Sequence, residues 1–326
     1  MRPKTHGILV QLVVLLSFIV PAQAETQPDW NSFIDSVRAE ASSQGVSQAT
    51  LDVALNGIEP IDRVIELDRR QPEGTVTFAE YMASRMPPAL IAEARRNYDE
   101  HLPLLISVSD VYGVDPEAVI ALWGHETRFG TYTGGFDVIA ALATLAWDPR
   151  RSDFFRRELM HALKILDEGH ITKEKMVGSW AGAMGQSQFM PSSFMGYAVD
   201  WDKDGRRDIW TTRGDVFASA SNYLSSYGWE LDEPWGAAVN LPAGMGAAQS
   251  GHDSPRPLQA WLDEGVTFVG ARPAVAADEP TTLAMPAGEG GPAFLVFSNY
   301  RVILRWNRSD YFAMSVVRLA DEIVTR

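Results

Sequence analysis

Apolar positions recur along most of this chain at helical spacing. Phe33, Val37 and Ala41 lie four apart, which predicts a helix from Trp30 closed near Gly45, and Ser47 then caps a second short helix reaching about Leu55. Residues 60–75, punctuated by Pro60, Pro72 and Gly74, read as an extended connector. The helical pattern resumes at Phe78 and continues from Leu90 to Tyr112. Asp115-Pro116-Glu117 then supplies an N-cap, a proline at the first helical position and an acid in the first turn, with Gly130 as the stop. Long helical runs and one acidic loop fill residues 113–230. Gly, Ala and Pro dominate 236–292, where short pieces such as Val266 to Val269 suit strands, and Phe294 to Phe297 suits a last one. Tyr300, Leu304 and Asn307 share a helical face, although the alternation from Arg301 to Trp306 also suits a strand; Tyr311 to Ile323 is a final amphipathic helix. The fold class is mainly α (α+β), with a minor β part.

Composition narrows the chemistry. The 326 residues are 46% hydrophobic and 21% charged, a globular profile of a length that suits about two domains. Lys plus Arg number 28 against 42 Asp plus Glu, a net charge of −14 that repels nucleic-acid phosphates. The absence of cysteine excludes disulfides, thiolate zinc sites, iron–sulfur clusters, a Cys nucleophile and a lipid-modified N-terminal Cys. Arg2 and Lys4 precede an apolar run from Ile8 to Val20, and Ala22-Gln23-Ala24 follows before Glu25. This is the pattern of a secretory signal peptide over residues 1–24, with an uncleaved anchor as the alternative. Its removal takes away two positive charges and leaves the rest near −16.

One carboxylate stands out. On the helix that begins at Asp115, the residues Val119, Leu122, Trp123 and Phe129 project into one arc, and Glu126 falls inside it. A carboxyl among apolar side chains loses hydration, so its pKa rises and it becomes a candidate general acid near neutral pH. Position alone equally suits a Glu that pairs with an Arg of a neighbouring helix. His125 lies on the other side of the helix and reads as surface or structural.

The words around Glu126 carry more. GHETRFG (124–130), ALATLAWDPRR (141–151), GSWAGAMGQSQFMPSSF (178–194) and WNRSDYFAMSV (306–316) resemble, in order and spacing, the lytic murein transglycosylase B family. The resemblance covers nearly all of the chain after residue 24, and here the family's lipidated Cys is missing. It implies a lysozyme-like helical core over 101–235, a helical N-terminal part over 25–100, a small β-containing lobe over 236–297, and C-terminal helices over 298–326 that return to the core. It implies a periplasmic protein, soluble after signal cleavage, that cleaves the β-1,4 bond between N-acetylmuramic acid and N-acetylglucosamine in peptidoglycan and leaves 1,6-anhydromuramoyl ends. Glu126 would be the single acid and then base, since the substrate supplies its own N-acetyl group and C6 hydroxyl where ordinary glycosidases need a second carboxylate. Ser179, Gln188 and Asn307 match polar residues beside the family's active site, with Ser179 and Gln188 bonding to Glu126 and the acetamido group. Tyr81 and Tyr223 match cleft tyrosines, Phe189 and Met190 apolar subsite walls, and Arg150 and Arg151 an Arg pair suited to stem-peptide or lactyl carboxylates. The family often has Tyr where Gln186 and Trp306 stand.

DWDKDGRRD (200–208) places Asp200, Asp202 and Asp204 at positions 1, 3 and 5 of an EF-hand-type loop, with Gly205 at 6, Arg206 at 7 and Asp208 at 9. Thr211 stands at position 12 where the motif has Glu. The resemblance implies an EF-hand-like calcium loop closed by a later acid, which Asp215 matches, so one structural Ca2+ is expected and no organic cofactor. The expected partners are peptidoglycan strands and other cell-wall enzymes, not nucleic acid, and the expected state is a monomer. Two other functions compete: a hydrolytic muramidase on the same fold, for which no second acid is evident because the nearest, Asp137, reads as structural, and a non-catalytic wall-binding scaffold.

Overall fold

The structure, a computed structural model, describes residues 29–70 and 76–325. The signal segment 1–24 and the positions Pro72 and Gly74 lie outside the described residues. Among these, the chain forms thirteen α-helices, a two-stranded ribbon and a five-stranded sheet.

The N-terminal helices follow their sequence signals closely. Asp29 caps α1 (Trp30–Ser43) by accepting from Ser32 N at 3.1 Å, and the face carrying Trp30, Phe33, Ile34, Val37 and Ala41 is buried. Ser47 caps α2 (Gln48–Leu55) in the same way. The expected extended connector instead contains α3 (Asp62–Arg69). Pro60 precedes this helix and so removes none of its hydrogen bonds, while Val64 and Asp68 provide a buried edge one turn apart. A Thr77–Glu80 capping box starts α4 (Phe78–Arg85). The 25-residue α5 (Pro88–Tyr112) runs straight through the boundary expected at residue 100, so N-terminal part and core share this helix, which closes on Gly113 at φ +64°.

The centre is α6 (Pro116–Thr127). It is buried from Ala118 to His125, with Thr127 beyond, which replaces the expected single apolar arc by a helix enclosed on nearly all sides. Asp115 precedes it without capping it: its carboxylate accepts from Trp229 Nε1 at 2.8 Å and Asp232 N at 3.1 Å. α5 packs along α6, while α7 (Val138–Trp147), equally buried, packs against α8 (Ser152–Asp167). The ribbon of β1 (Phe136–Asp137) and β2 (Val177–Gly178), α9 (Pro191–Tyr197) and α10 (Arg213–Ser226) complete the core.

The chain then leaves for a lobe built from β3 (Gly236–Asn240), β4 (Gly251–Pro257), α11 (Leu258–Asp263), β5 (Thr267–Phe268), β6 (Pro280–Ala284) and β7 (Ala293–Val296). The strand order is β4-β6-β7-β3-β5, antiparallel throughout. Leu258, Trp261, Leu283, Leu295 and Phe297 give the lobe a core of its own. From β7 the chain returns through α12 (Ser298–Trp306) and α13 (Asp310–Val324), and α13 lies along α5 and α6. The ambiguous run from Arg301 to Trp306 is therefore helical, with Asn299, Tyr300, Val302 and Ile303 buried against the main core. No helix among the described residues is long and apolar enough to cross a membrane.

Candidate active site

Glu126 is the penultimate residue of α6, and the backbone turns sharply behind it. Arg128 at φ +47° and Phe129 at φ +57° both occupy the left-handed region that non-glycine residues seldom adopt, ahead of Gly130 at φ +82°. The turn buries Phe129 edge-on to Trp123, with ring centroids 5.3 Å apart, and aims Arg128 outward to Glu93 at 3.1 Å.

The Glu126 side chain stands between two spaces. On one side is an open cleft of about 250 Å3, walled by Arg85, Arg128 and Tyr132. On the other is a void of about 10 Å3 under Val119, Leu122, Trp123, Phe217 and Ala220. Trp306 Nε1 donates to Glu126 Oε1 at 2.7 Å. Burial pushes the Glu126 carboxyl up from its ordinary 4.5 to about 7, against the opposing pull of the Trp306 hydrogen bond and the Arg85 charge. Glu126 is thus half protonated near neutrality and faces the cleft. Among the described residues lining cleft and void it is the one carboxylate. Asp137 is occupied elsewhere, capping α7 through Ala140 N at 3.1 Å and pairing with Lys173. His125 is buried rather than exposed: its Nε2 meets Ser315 O at 2.9 Å and desolvation lowers its pKa to about 4.

The loop 178–190 forms the adjoining wall, and its glycines are structural necessities. A Cβ on Gly178 would collide with the Ala183 carbonyl, and Gly182, at φ +88°, sits on the Leu142 side chain. Ser179 holds this turn together, its Oγ accepting from Ala183 N at 3.0 Å. Gln188, in the left-handed region at φ +47°, donates through Nε2 to Thr133 O at 3.1 Å and Gly185 O at 2.9 Å. Both side chains bond backbone, and neither bonds Glu126.

Phe189 and Tyr223 pack on the Trp306 ring at 5.3 and 4.9 Å, and the Tyr223 hydroxyl donates to Arg305 O at 2.7 Å. They form the aromatic seat of the tryptophan that holds Glu126. Met190 is half-buried just before α9. Tyr81 stacks on Tyr311 at 5.3 Å with Arg85 over its ring at 5.6 Å, and Asn307 is exposed, accepting from Ser309 N at 3.2 Å.

Arg150 and Arg151 are engaged by the chain itself. Arg151 is ion-paired to the buried Asp68 and lies over the Phe155 ring at 5.0 Å, while Arg150 Nε is 3.5 Å from the same carboxylate. Asp68 belongs to α3, the helix that the prolines of its segment concealed.

Several residues with a part in this site escaped sequence reasoning. Gln186 accepts from Trp123 Nε1 at 2.8 Å and Arg213 at 2.5 Å and donates to Trp210 O at 2.6 Å, tying α6, the loop and α10 together. Ser187 Oγ, buried beside the void, has no partner. Tyr132, 70% exposed at the cleft mouth, was signalled only by being a large aromatic in a Thr- and Gly-rich turn.

In the acidic loop, Asp200, Asp202 and Asp204 each bring an oxygen within 4.8 Å of the other two. Gly205 makes the turn at φ +94°, donating to Asp200 Oδ2 at 2.9 Å, and the Arg206 side chain pairs with Asp204 at 3.0 Å. Asp208 and Asp215 act differently. Asp208 accepts from Trp210 N, Thr211 N and Thr211 Oγ1. Asp215, fully buried on α10, accepts from Trp201 N at 2.8 Å and Asp208 N at 2.6 Å, bracing the loop's two ends.

Comparison with known proteins agrees with this geometry. Residues 29–321 match the family model described as Transglycosylase SLT domain. The chain is 28% identical to the Membrane-bound lytic murein transglycosylase B of Escherichia coli over 91% of its length and 82% of that protein's. SltB3 from Pseudomonas aeruginosa, solved in complex with NAG-anhNAM-pentapeptide, superposes with a TM-score of 0.87 at 40% identity, over 91% of this chain and 80% of that one. The Escherichia coli lytic transglycosylase Slt35, solved in complex with calcium, does so with a TM-score of 0.77 at 27% identity, over 91% and 93%. A helical core enclosing one cleft carboxylate, with a family match across it, identifies the chain as a member of the transglycosylase SLT domain family and a lytic transglycosylase of peptidoglycan.

Proposed function

We propose that Glu126 performs both proton transfers of the reaction. Protonated, it gives its proton to the glycosidic oxygen of the leaving N-acetylglucosamine, while the muramoyl N-acetyl oxygen closes onto the anomeric carbon. The resulting carboxylate then takes the proton of the C6 hydroxyl as that oxygen attacks the same carbon, expelling the N-acetyl oxygen and closing the 1,6-anhydro ring. The observation that carries this reading is a single cleft carboxylate whose burial raises it to about 7. With no second carboxylate among the described residues lining the cleft, one group must serve both transfers, and the product, anhydro or reducing end, turns on whether the C6 hydroxyl or water reaches the anomeric carbon. Tyr132 and Tyr81 offer aromatic faces to sugar rings, and Ser179 and Gln188 keep the wall beside Glu126 in shape while leaving the Gln188 amide oxygen for the acetamido group. The peptide-bearing fragment bound by SltB3 supports a peptide-bearing strand as the substrate here. Such a substrate places the enzyme in the periplasm, reached through the segment 1–24, and it acts as a monomer because α4, α6, the loop and α12 of one chain build the site.

The loop at 200–208 holds one structural Ca2+ in this reading. Three oxygens within 4.8 Å of one another suit a hard cation, and the calcium complex of Slt35 supports that identity. Asp200, Asp202, Asp204 and the Arg206 carbonyl would bind it. Asp208, accepting from Trp210 N, Thr211 N and the Thr211 hydroxyl, and Asp215, accepting from Trp201 N and Asp208 N, would keep the loop in register.

The test is mass spectrometry of soluble products from purified sacculi, beside Glu126→Gln. Muropeptides one water lighter than reducing-end products, absent with the variant, are expected. Reducing ends that depend on Glu126 would make the reaction a hydrolysis, and binding without release would leave a scaffold.

A further inference from the structure

Among the described residues, three buried side-chain polar atoms have no hydrogen-bond partner within the protein: Ser187 Oγ, Trp210 Nε1 and Ser221 Oγ. Of these, only Ser187 lines the void of about 10 Å3 behind Glu126. It is 3% exposed and stands between two glutamines whose side chains are committed. Gln186 is taken by Trp123, Trp210 O and Arg213, and Gln188 by Thr133 O and Gly185 O. The position is also fixed: Thr127 Oγ1, beside the acid on α6, donates to Gln186 O at 3.0 Å and pins the loop there.

Hydroxyls buried this deeply are rarely left alone, because a bond to protein or to ordered water offsets the lost hydration. No protein atom meets Ser187 Oγ, but the void beside it has the measure of one water, which needs about 10–15 Å3 and at least two polar partners. In so small a space a single occupant touches every wall. Trp123 Nε1 and Trp306 Nε1 already donate, to Gln186 and Glu126. The Ser187 hydroxyl and the Glu126 carboxyl are the two groups with capacity to hold it. An all-apolar void of this volume would stay dry.

We infer that Ser187 is a positioning residue for Glu126, acting through one water that fills this void and bridges hydroxyl to carboxyl; the inference rests on Glu126 being the acid. The hydroxyl donates to the water, and the water to the carboxyl. No other charged side chain lines the void, while Arg85, Arg128, His125 and Tyr132 line the cleft. A donor on the void side satisfies the carboxyl from behind and leaves its proton to the face that meets the glycosidic bond. It also favours the carboxylate, so it opposes burial and suits the acid to its return as base. Held behind Glu126, this water is kept out of the cleft where the bond breaks.

The experiment follows the Glu126 carboxyl carbon by NMR through a pH titration, the signal being the one missing from Glu126→Gln, beside kcat and KM on soluble glycan strands. Ser187→Ala removes the hydroxyl, and Val216→Ile keeps it while adding a methyl to the void wall. The Glu126 midpoint should rise by about half a pH unit in both, roughly threefold in the proton equilibrium, and the descending limb of kcat should move with it. KM should stay, since neither residue lines the cleft. A wild-type crystal structure should show one ordered water within hydrogen-bond distance of Ser187 Oγ and the Glu126 carboxyl. An unmoved midpoint in Ser187→Ala, or a crystal structure without that water, overturns the inference. Failure of the Glu126 reading shows separately, as anhydro products that survive Glu126→Gln; in that event the NMR midpoint and the crystal structure alone decide the bridge.

Discussion

Glu126 and the acidic loop use the same functional group for opposite ends. Glu126 is solitary, set among Val119, Leu122 and Trp123, and burial drives it towards its neutral form. Asp200, Asp202 and Asp204 crowd together in a loop open to water, and Asp204 is held below the usual carboxylate range by the Arg206 side chain. The first environment suits a proton donor and the second suits a cradle for a cation. Asp215 stands between them: burial raises it, as it does Glu126, yet its oxygens are spent on backbone donors and it titrates to no purpose but structure. Solvent access and hydrogen-bond commitments, more than residue type, divide the roles.

The contrast breaks most sharply at Glu126. Glu126→Gln should lower release of anhydro muropeptides by about 10³-fold, read by mass spectrometry. The same substitution should stabilise the fold in alkali. The folded Glu126 binds its proton more tightly than the unfolded one, so its contribution is fully present below pH 4.5 and lost as pH rises through about 7. The melting temperature of the Gln variant should exceed wild type by several degrees at pH 8, for about 2 kcal/mol, and by little at pH 4.

A smaller effect concerns the proton itself. Turnover should fall about tenfold per pH unit above pH 7, as the acid form is lost. Trp306→Phe removes a bond that favours the carboxylate and should move that descending limb up by about one pH unit. An unmoved limb would mean that the hydrogen bond does not tune the acid. For the loop, calcium at about 100 times its Kd should stabilise by about 2.7 kcal/mol, several degrees by calorimetry, and Asp200→Asn/Asp202→Asn should abolish the gain. A melting temperature indifferent to calcium and chelator would remove the metal from the description. The smallest change belongs to Ser187→Ala. Its hydroxyl is buried without a partner, so its loss should alter stability by less than about 0.5 kcal/mol by urea titration.

Where partners are close in sequence, the chain declared its structure. The four-residue spacing of α1, the Ser47 cap and the Thr77 start of α4 are local, and each stands where local rules put it. Glu126 was legible because the words around it, GHETRFG foremost, single out a carboxylate whose place on an apolar face is by itself ambiguous. What stayed hidden depends on distant partners. Asp115 has every mark of an N-cap, yet Trp229, 114 residues on, claims its carboxylate. Arg150 and Arg151 read as free cations because Asp68, 83 residues before Arg151, was assigned to a connector. Gln186 and Arg213 meet over Trp123 only after α6, the loop and α10 have packed.

The bond from Trp306 to Glu126 joins residues 180 positions apart, with the whole lobe between them. A ribosome delivers Glu126 long before the tryptophan that holds it, and a chain broken off within the lobe carries the acid without its clamp. The site is finished only when the chain has come back from the lobe.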